Sequence, residues 1–161
     1  RFGISMSRKN SEYVQGENKM KNKSPNKPIL VIHGPNMSLI SYRSIAVKKR
    51  LTLDKINKCL RKEAKMVGHG LRVIQTNNEA QATTNIQRLR NKISGIIIFP
   101  GPWQKSAHII KDALEILQIP FVTVSTGEKA NLLKGISNIQ NKDLLMGCRI
   151  AVERLIILGK L

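Results

Sequence analysis

The side chains with chemistry to offer gather behind one apolar run. Ile29 to Ile32 leads into Gly34-Pro35-Asn36, and Arg43 follows seven positions after Asn36. Four apolar, mostly β-branched residues that break on Gly-Pro-Asn read as a buried parallel strand and the turn at its carboxyl end. Ligands of open α/β sheets sit at that edge, which looks like a place to bind a small acid.

A second set of reactive side chains is cationic. Lys48-Lys49-Arg50 come next in the chain, followed by Lys55, Lys58, Arg61, Lys62 and Lys65. At helical spacing 55, 58, 62 and 65 share one polar face, interrupted in charge only by Glu63. Arg88, Arg90 and Lys92 close a later helix, and Lys105 falls at the same sheet edge as Asn36. Such faces suit phosphate contact better than plain solvation. The three histidines, His33, His69 and His108, fall at a strand end, in a Gly-flanked turn and on a helix, and each reads as structural or surface. Cys59 and Cys148 lack metal-ligand spacing and read as small core residues on helices. No metal site is expected.

The elements that position these residues alternate strictly. Strands are predicted at 29–32, 71–75, 95–99 and 121–124, with a short fifth near 136–139. Between them come helices at 52–67 (capped by Thr52), 79–90, 104–117 and 144–158. This pattern predicts an α/β fold: a flavodoxin-like three-layer α/β/α sandwich with a parallel five-stranded sheet. Residues 28–161 form that domain. Residues 1–27, with seven basic and two acidic residues and little apolar periodicity, form a basic, extended arm suited to ordering against RNA. A first residue of Arg1 rather than Met fits removal of an organellar targeting peptide.

The whole chain carries 28 Lys and Arg against 10 Asp and Glu, a net charge of +18. An ordinary metabolic enzyme has little use for this excess, which attracts polyanions. No apolar run reaches the roughly 18 residues of a membrane span.

The run I-x-x-G-P-N-x-x-L-x-x-x-R, with Ile32, Gly34, Pro35, Asn36, Leu39 and Arg43 among its points, resembles the opening of type II 3-dehydroquinate dehydratases. Thr52-Leu53, Gln75-Thr76-Asn77-x-Glu79, Gly95 to Gly101, Asp112-Ala113-Leu114 and Ile119-Pro120 follow in family order and spacing. The resemblance covers about 28–124 well and the remainder loosely. It implies a flavodoxin-like fold, trimers that often pair into dodecamers, no cofactor, and dehydration of 3-dehydroquinate through an enolate. In that scheme a tyrosine is the base and a histidine the acid.

Carried across by position, Asn36 and Arg43 match the family and other site residues do not. The tyrosine position is Lys48, the asparagine before Pro-Gly is Phe99, and the histidine four residues after that glycine is Lys105. The Glu-x-His pair is Thr123-Val124-Ser125. Tyr42 is expected to point elsewhere. Lys48 would serve as a base only if desolvated, with Lys49 and Arg50 lowering its pKa. Ser125 cannot protonate a leaving group at neutral pH.

Together these residues lead to the expectation of a non-catalytic member of the family. It would be a structural subunit of a mitochondrial ribosome (a plastid being the second choice), contacting rRNA and neighbouring ribosomal proteins. The RNA contacts would be Lys48, Lys49, Arg50, Lys55, Lys58, Lys62, Lys65, Arg88, Arg90 and Lys105. The alternatives are an active or altered dehydratase and an accessory subunit of an organellar membrane complex.

Overall fold

The computed structural model describes residues 26–43 and 50–161. The expected arm, apart from residues 26 and 27, and the Lys48-Lys49 pair lie outside them. β1 (Asn26–His33) starts three residues before the predicted strand and ends one after it, and Ile29 to His33 are all buried. It is followed by a 3-10 turn (Met37–Leu39) and a single-turn helix α1 (Ile40–Arg43), in the stretch between the first predicted strand and the predicted helix at 52.

β1 lies between β2 (His69–Gln75) and β3 (Gly95–Phe99), and β4 (Phe121–Ser125) and β5 (Ser137–Gln140) extend the far side. The five-stranded sheet is parallel throughout, in the order β2-β1-β3-β4-β5. This is the flavodoxin-like order expected from the sequence.

The period-two geometry of the strands divides the core in two. Ile29, Val31, Ile97, Phe99, Val122 and Val124 face one way and pack with α2 (Leu53–Met66) and α6 (Leu144–Leu158). Leu30, Ile32, Ile96 and Ile98 face the other way, toward α3 (Glu79–Leu89) and α5 (His108–Leu117). Both faces of β3 are therefore covered, which is why its G-I-I-I-F carries no polar alternation. α2 buries Ile56, Leu60 and Ala64 as one stripe, and Thr52 accepts the Lys55 amide at its start, as predicted. It ends at Gly68, whose φ of 82° is cheap for glycine.

The predicted helix 104–117 is two helices. α4 (Trp103–Ser106) stops at Ala107, which leaves helical geometry with ψ 61°, and α5 begins at His108. α5 has no cap of its own. Glu79, at the start of α3, reaches across and accepts the Ile109 amide at 2.9 Å. Glu79→Ala should lower stability by about 1 kcal/mol, and Glu79→Gln, which keeps an acceptor, by less. Denaturant unfolding of both variants checks this.

Candidate active site

Five parallel strands place their carboxyl ends along one edge, and the strand order reverses between β1 and β3. The crevice expected at that reversal is packed solid. The Gly34 amide donates to the Phe99 carbonyl at 3.0 Å. A Cβ on Gly34 would lie 2.6 Å from that oxygen and 2.9 Å from the Trp103 ring. Phe99 and Trp103 are both buried, and the Phe99 ring centroid lies 4.7 Å from that of His33.

His33 itself is fully buried. Its Nε2 pairs with the Asn57 Oδ1 at 2.7 Å, and its Nδ1 has no hydrogen-bond partner among the described residues. Burial pulls its pKa down from 6.5 to about 4, the Asn57 bond opposing this in part. The ring is therefore neutral at pH 7, and with Nε2 donating to Asn57 its free Nδ1 is an acceptor.

The open part of the edge lies over β1 and β2. Asn36 takes the left-handed conformation (φ 66°), which asparagine tolerates, and its amide donates to the Asn77 Oδ1 at 3.1 Å. Gln75 Nε2 donates to the same oxygen at 3.3 Å. Oδ1 is thus occupied, and the exposed Asn77 side chain keeps its amide nitrogen as a donor. The Thr76 amide bonds the His33 carbonyl, and the Thr76 hydroxyl bonds Gln81, so the β2 loop is held rigidly to β1. Asn36, Asn77 and Arg43 are exposed and present hydrogen-bond donors at this edge.

The remaining positions singled out in the sequence have other occupations. Thr123 is buried and donates to Asn138 Oδ1 at 2.7 Å, fastening β4 to β5. Ser125 donates to the Glu128 carbonyl at 2.6 Å. Lys105 is exposed on α4 and makes no ion pair among the described residues. Tyr42 is exposed on α1. His69 is buried at the start of β2 with Nδ1 on the Lys27 carbonyl at 2.9 Å, and His108 is exposed at the start of α5. Cys148 is buried on α6 and Cys59 half-buried on α2, as expected. Burial raises the pKa of both thiols, so neither is an activated nucleophile. Among the described residues no group of His, Cys, Asp and Glu is arranged to hold a metal, and no helix is long and apolar enough to cross a membrane.

Sequence reasoning missed Gln104. This buried side chain accepts the Asn131 and Leu133 amides at 3.0 and 2.8 Å and donates to the Leu133 carbonyl at 3.0 Å. It ties the helix after β3 to the crossing between β4 and β5. A lone glutamine beside an apolar position carries no signal of such a role. Asn57 was missed for the same reason.

The proposed phosphate-binding residues do not form one surface. Lys55, Lys58, Lys62 and Lys65 are exposed on α2, on one side of the sheet. Arg88 and Arg90 end α3 on the other side, and Lys105 sits at the carboxyl edge. Lys58 is paired with Asp54 at 3.1 Å, and Lys55 caps the Arg50 carbonyl at 2.7 Å.

Residues 27–140 match the family model described as Dehydroquinase class II. A 3-dehydroquinate dehydratase of Geotalea daltonii is 32% identical over 115 residues, 71% of this chain and 73% of that protein. The 3-dehydroquinate dehydratase of Trichodesmium erythraeum is 34% identical over 96 residues, 60% of this chain. The match covers 64% of that relative's length, just under two thirds. In three dimensions the chain is similar to the type II dehydroquinase of Propionibacterium acnes, with a TM-score of 0.68 and 24% identity over 81% of this chain and 96% of that one.

These findings correct the expectation of a non-catalytic ribosomal subunit with rRNA and ribosomal proteins as partners, and with it the membrane-complex alternative. The matched relatives carry the name of the dehydratase, and the basic residues are dispersed over both faces of the sheet. Net charge carries no such specificity. A charge of +18 attracts any anion, a small carboxylic acid included.

Proposed function

Because this chain belongs to the class II dehydroquinase family, we propose that it is a lyase acting on 3-dehydroquinate or a close cyclic hydroxy-keto acid, with an altered set of proton-transfer groups. The observation that carries this reading is the clamp between Asn36 and Asn77, held at 3.1 Å across the ends of β1 and β2 inside the matched stretch. It fixes two exposed amide side chains at the carboxyl edge of the sheet, beside the reversal where ligands of such folds sit.

Asn36 and Asn77 are suited to hold the ring oxygens, including the enolate oxygen that develops when a proton leaves the carbon beside the ketone. Arg43 and Lys105 supply positive charge for the substrate carboxylate. Lys48 occupies the sequence position of the family's tyrosine. It accepts a proton only in its neutral form, which desolvation by a bound substrate would favour. Ser125 already donates to Glu128, so it offers no acid for the departing hydroxyl. The proton for water loss then comes from solvent. A positioned acid is worth about 10²–10⁴ in rate, and turnover should fall short by that factor.

The test is continuous ultraviolet detection of the conjugated enone formed from 3-dehydroquinate by the full chain. Slow turnover that disappears in Lys48→Ala is expected. A rate equal to that of buffer overturns the proposal, and unchanged turnover in Lys48→Ala overturns the role of Lys48.

A further inference from the structure

Parallel strands are ordinarily joined through a helix, yet β4 and β5 are joined by residues 126–136 without one. A single irregular segment with several bends covers less of a sheet than a helix of roughly 10 Å diameter. The uncovered space is a groove of about 380 Å³ between α5 and residues 131–134. That volume lies near the lower end for small-molecule sites. None of its lining residues belongs to the edge that carries Asn36 and Asn77.

Its apolar lining is Leu114, Phe121 and Leu132. Leu114 is buried in the core, and Phe121 and Leu132 pack half-buried against it. The two sides carry cations: Lys111 on α5 and Lys134 on the crossing segment. Lys111 is partly neutralised by Glu115 at 3.6 Å, whereas Lys134 has no ion pair among the described residues. The crossing side is preformed, because Gln104 fastens Asn131 and Leu133 from beneath with three hydrogen bonds of 2.8 to 3.0 Å. A site that is already ordered loses less on binding.

We infer that this groove binds a small carboxylate with an apolar ring, the ring against Phe121 and the leucines and the carboxylate on Lys134. One unpaired cation beside a carboxylate, Glu115, suits a monoanion; a dianion such as phosphate would meet Glu115 without a second free lysine. The inference is independent of the dehydratase reading, since it uses other residues.

Titration of the full chain with benzoate, followed by amide NMR and calorimetry, tests it. Saturable shifts are expected at Asn131, Leu132 and Lys134, with none for benzyl alcohol at equal concentration. Lys134→Gln, an exposed substitution, should weaken binding roughly tenfold while leaving the rest of the spectrum in place. Absence of saturation overturns the inference, as does equal affinity in Lys134→Gln. Shifts that follow protein concentration rather than benzoate would mean that a second copy of the chain covers the groove, and would also overturn it.

Discussion

Acidifying the protein from above pH 6.5 to pH 4 should remove about 3 kcal/mol of stability through His33 alone. The imidazole is fully buried between Asn57 and Phe99, and burial holds its pKa at about 4 against 6.5 for the free side chain. Between these two values the unfolded chain binds a proton that the folded one refuses. Stability therefore rises with pH across this window. The contribution is whole above pH 6.5, shrinks as pH falls below it, and is exhausted near pH 4. Denaturant unfolding at a series of pH values measures this directly. His33→Asn should flatten the dependence by one proton between pH 6.5 and 4. At pH 7.5 it should cost the Asn57 hydrogen bond, about 1 kcal/mol, together with the packing of the ring against Phe99. Identical slopes for the two proteins would show that His33 is not the group responsible.

Adding one methyl group at Gly34 should be as damaging. Its Cβ would lie 2.6 Å from the Phe99 carbonyl oxygen, 2.9 Å from the Trp103 ring and 3.1 Å from the Pro100 carbonyl oxygen. Two of these obstacles are backbone and the third is a buried indole, so none yields cheaply. The strands must separate at their carboxyl ends, breaking the 3.0 Å bond from Gly34 to Phe99. A loss of about 3 kcal/mol, close to ten degrees in Tm for a chain of this size, is expected for Gly34→Ala. The turnover assay should fall with it, because Asn36 is carried on the same turn. Gly127→Ala is the control: nothing lies within 4 Å of its added carbon, and its stability should stay within about 0.5 kcal/mol of the parent. Thermal unfolding of the two variants side by side decides the matter, and equal midpoints would refute the packing at the β1–β3 junction.

Much of the fold was legible because its signals are local. Thr52 caps α2 where a Thr before an apolar stripe should, and the all-apolar Gly95 to Phe99 is a strand buried on both faces. The break at Ala107 was not legible. The run from Gln104 to Leu117 has continuous helical character, and what divides it is long-range: Gln104 is held by residues 131–133 and Ile109 by Glu79. The functional surface was misread for a related reason. Lysines 55, 58, 62 and 65 do share a helix face, as their spacing says, but spacing within one element cannot show that Arg88 and Arg90 lie across the sheet from them.

Back at Ile29 to Arg43, the sequence alone determined the buried strand, its Gly-Pro-Asn break and the family to which they point. Those features depend on contacts between near neighbours and on residue order. The tertiary structure decided what the break does. It filled the space between β1 and β3 with His33, Phe99 and Trp103, moved the open edge toward Asn36 and Asn77, and left a groove beside α5 where a helix is missing. Each of these depends on side chains distant in sequence meeting across strands, where packing and desolvation set which polar groups remain free.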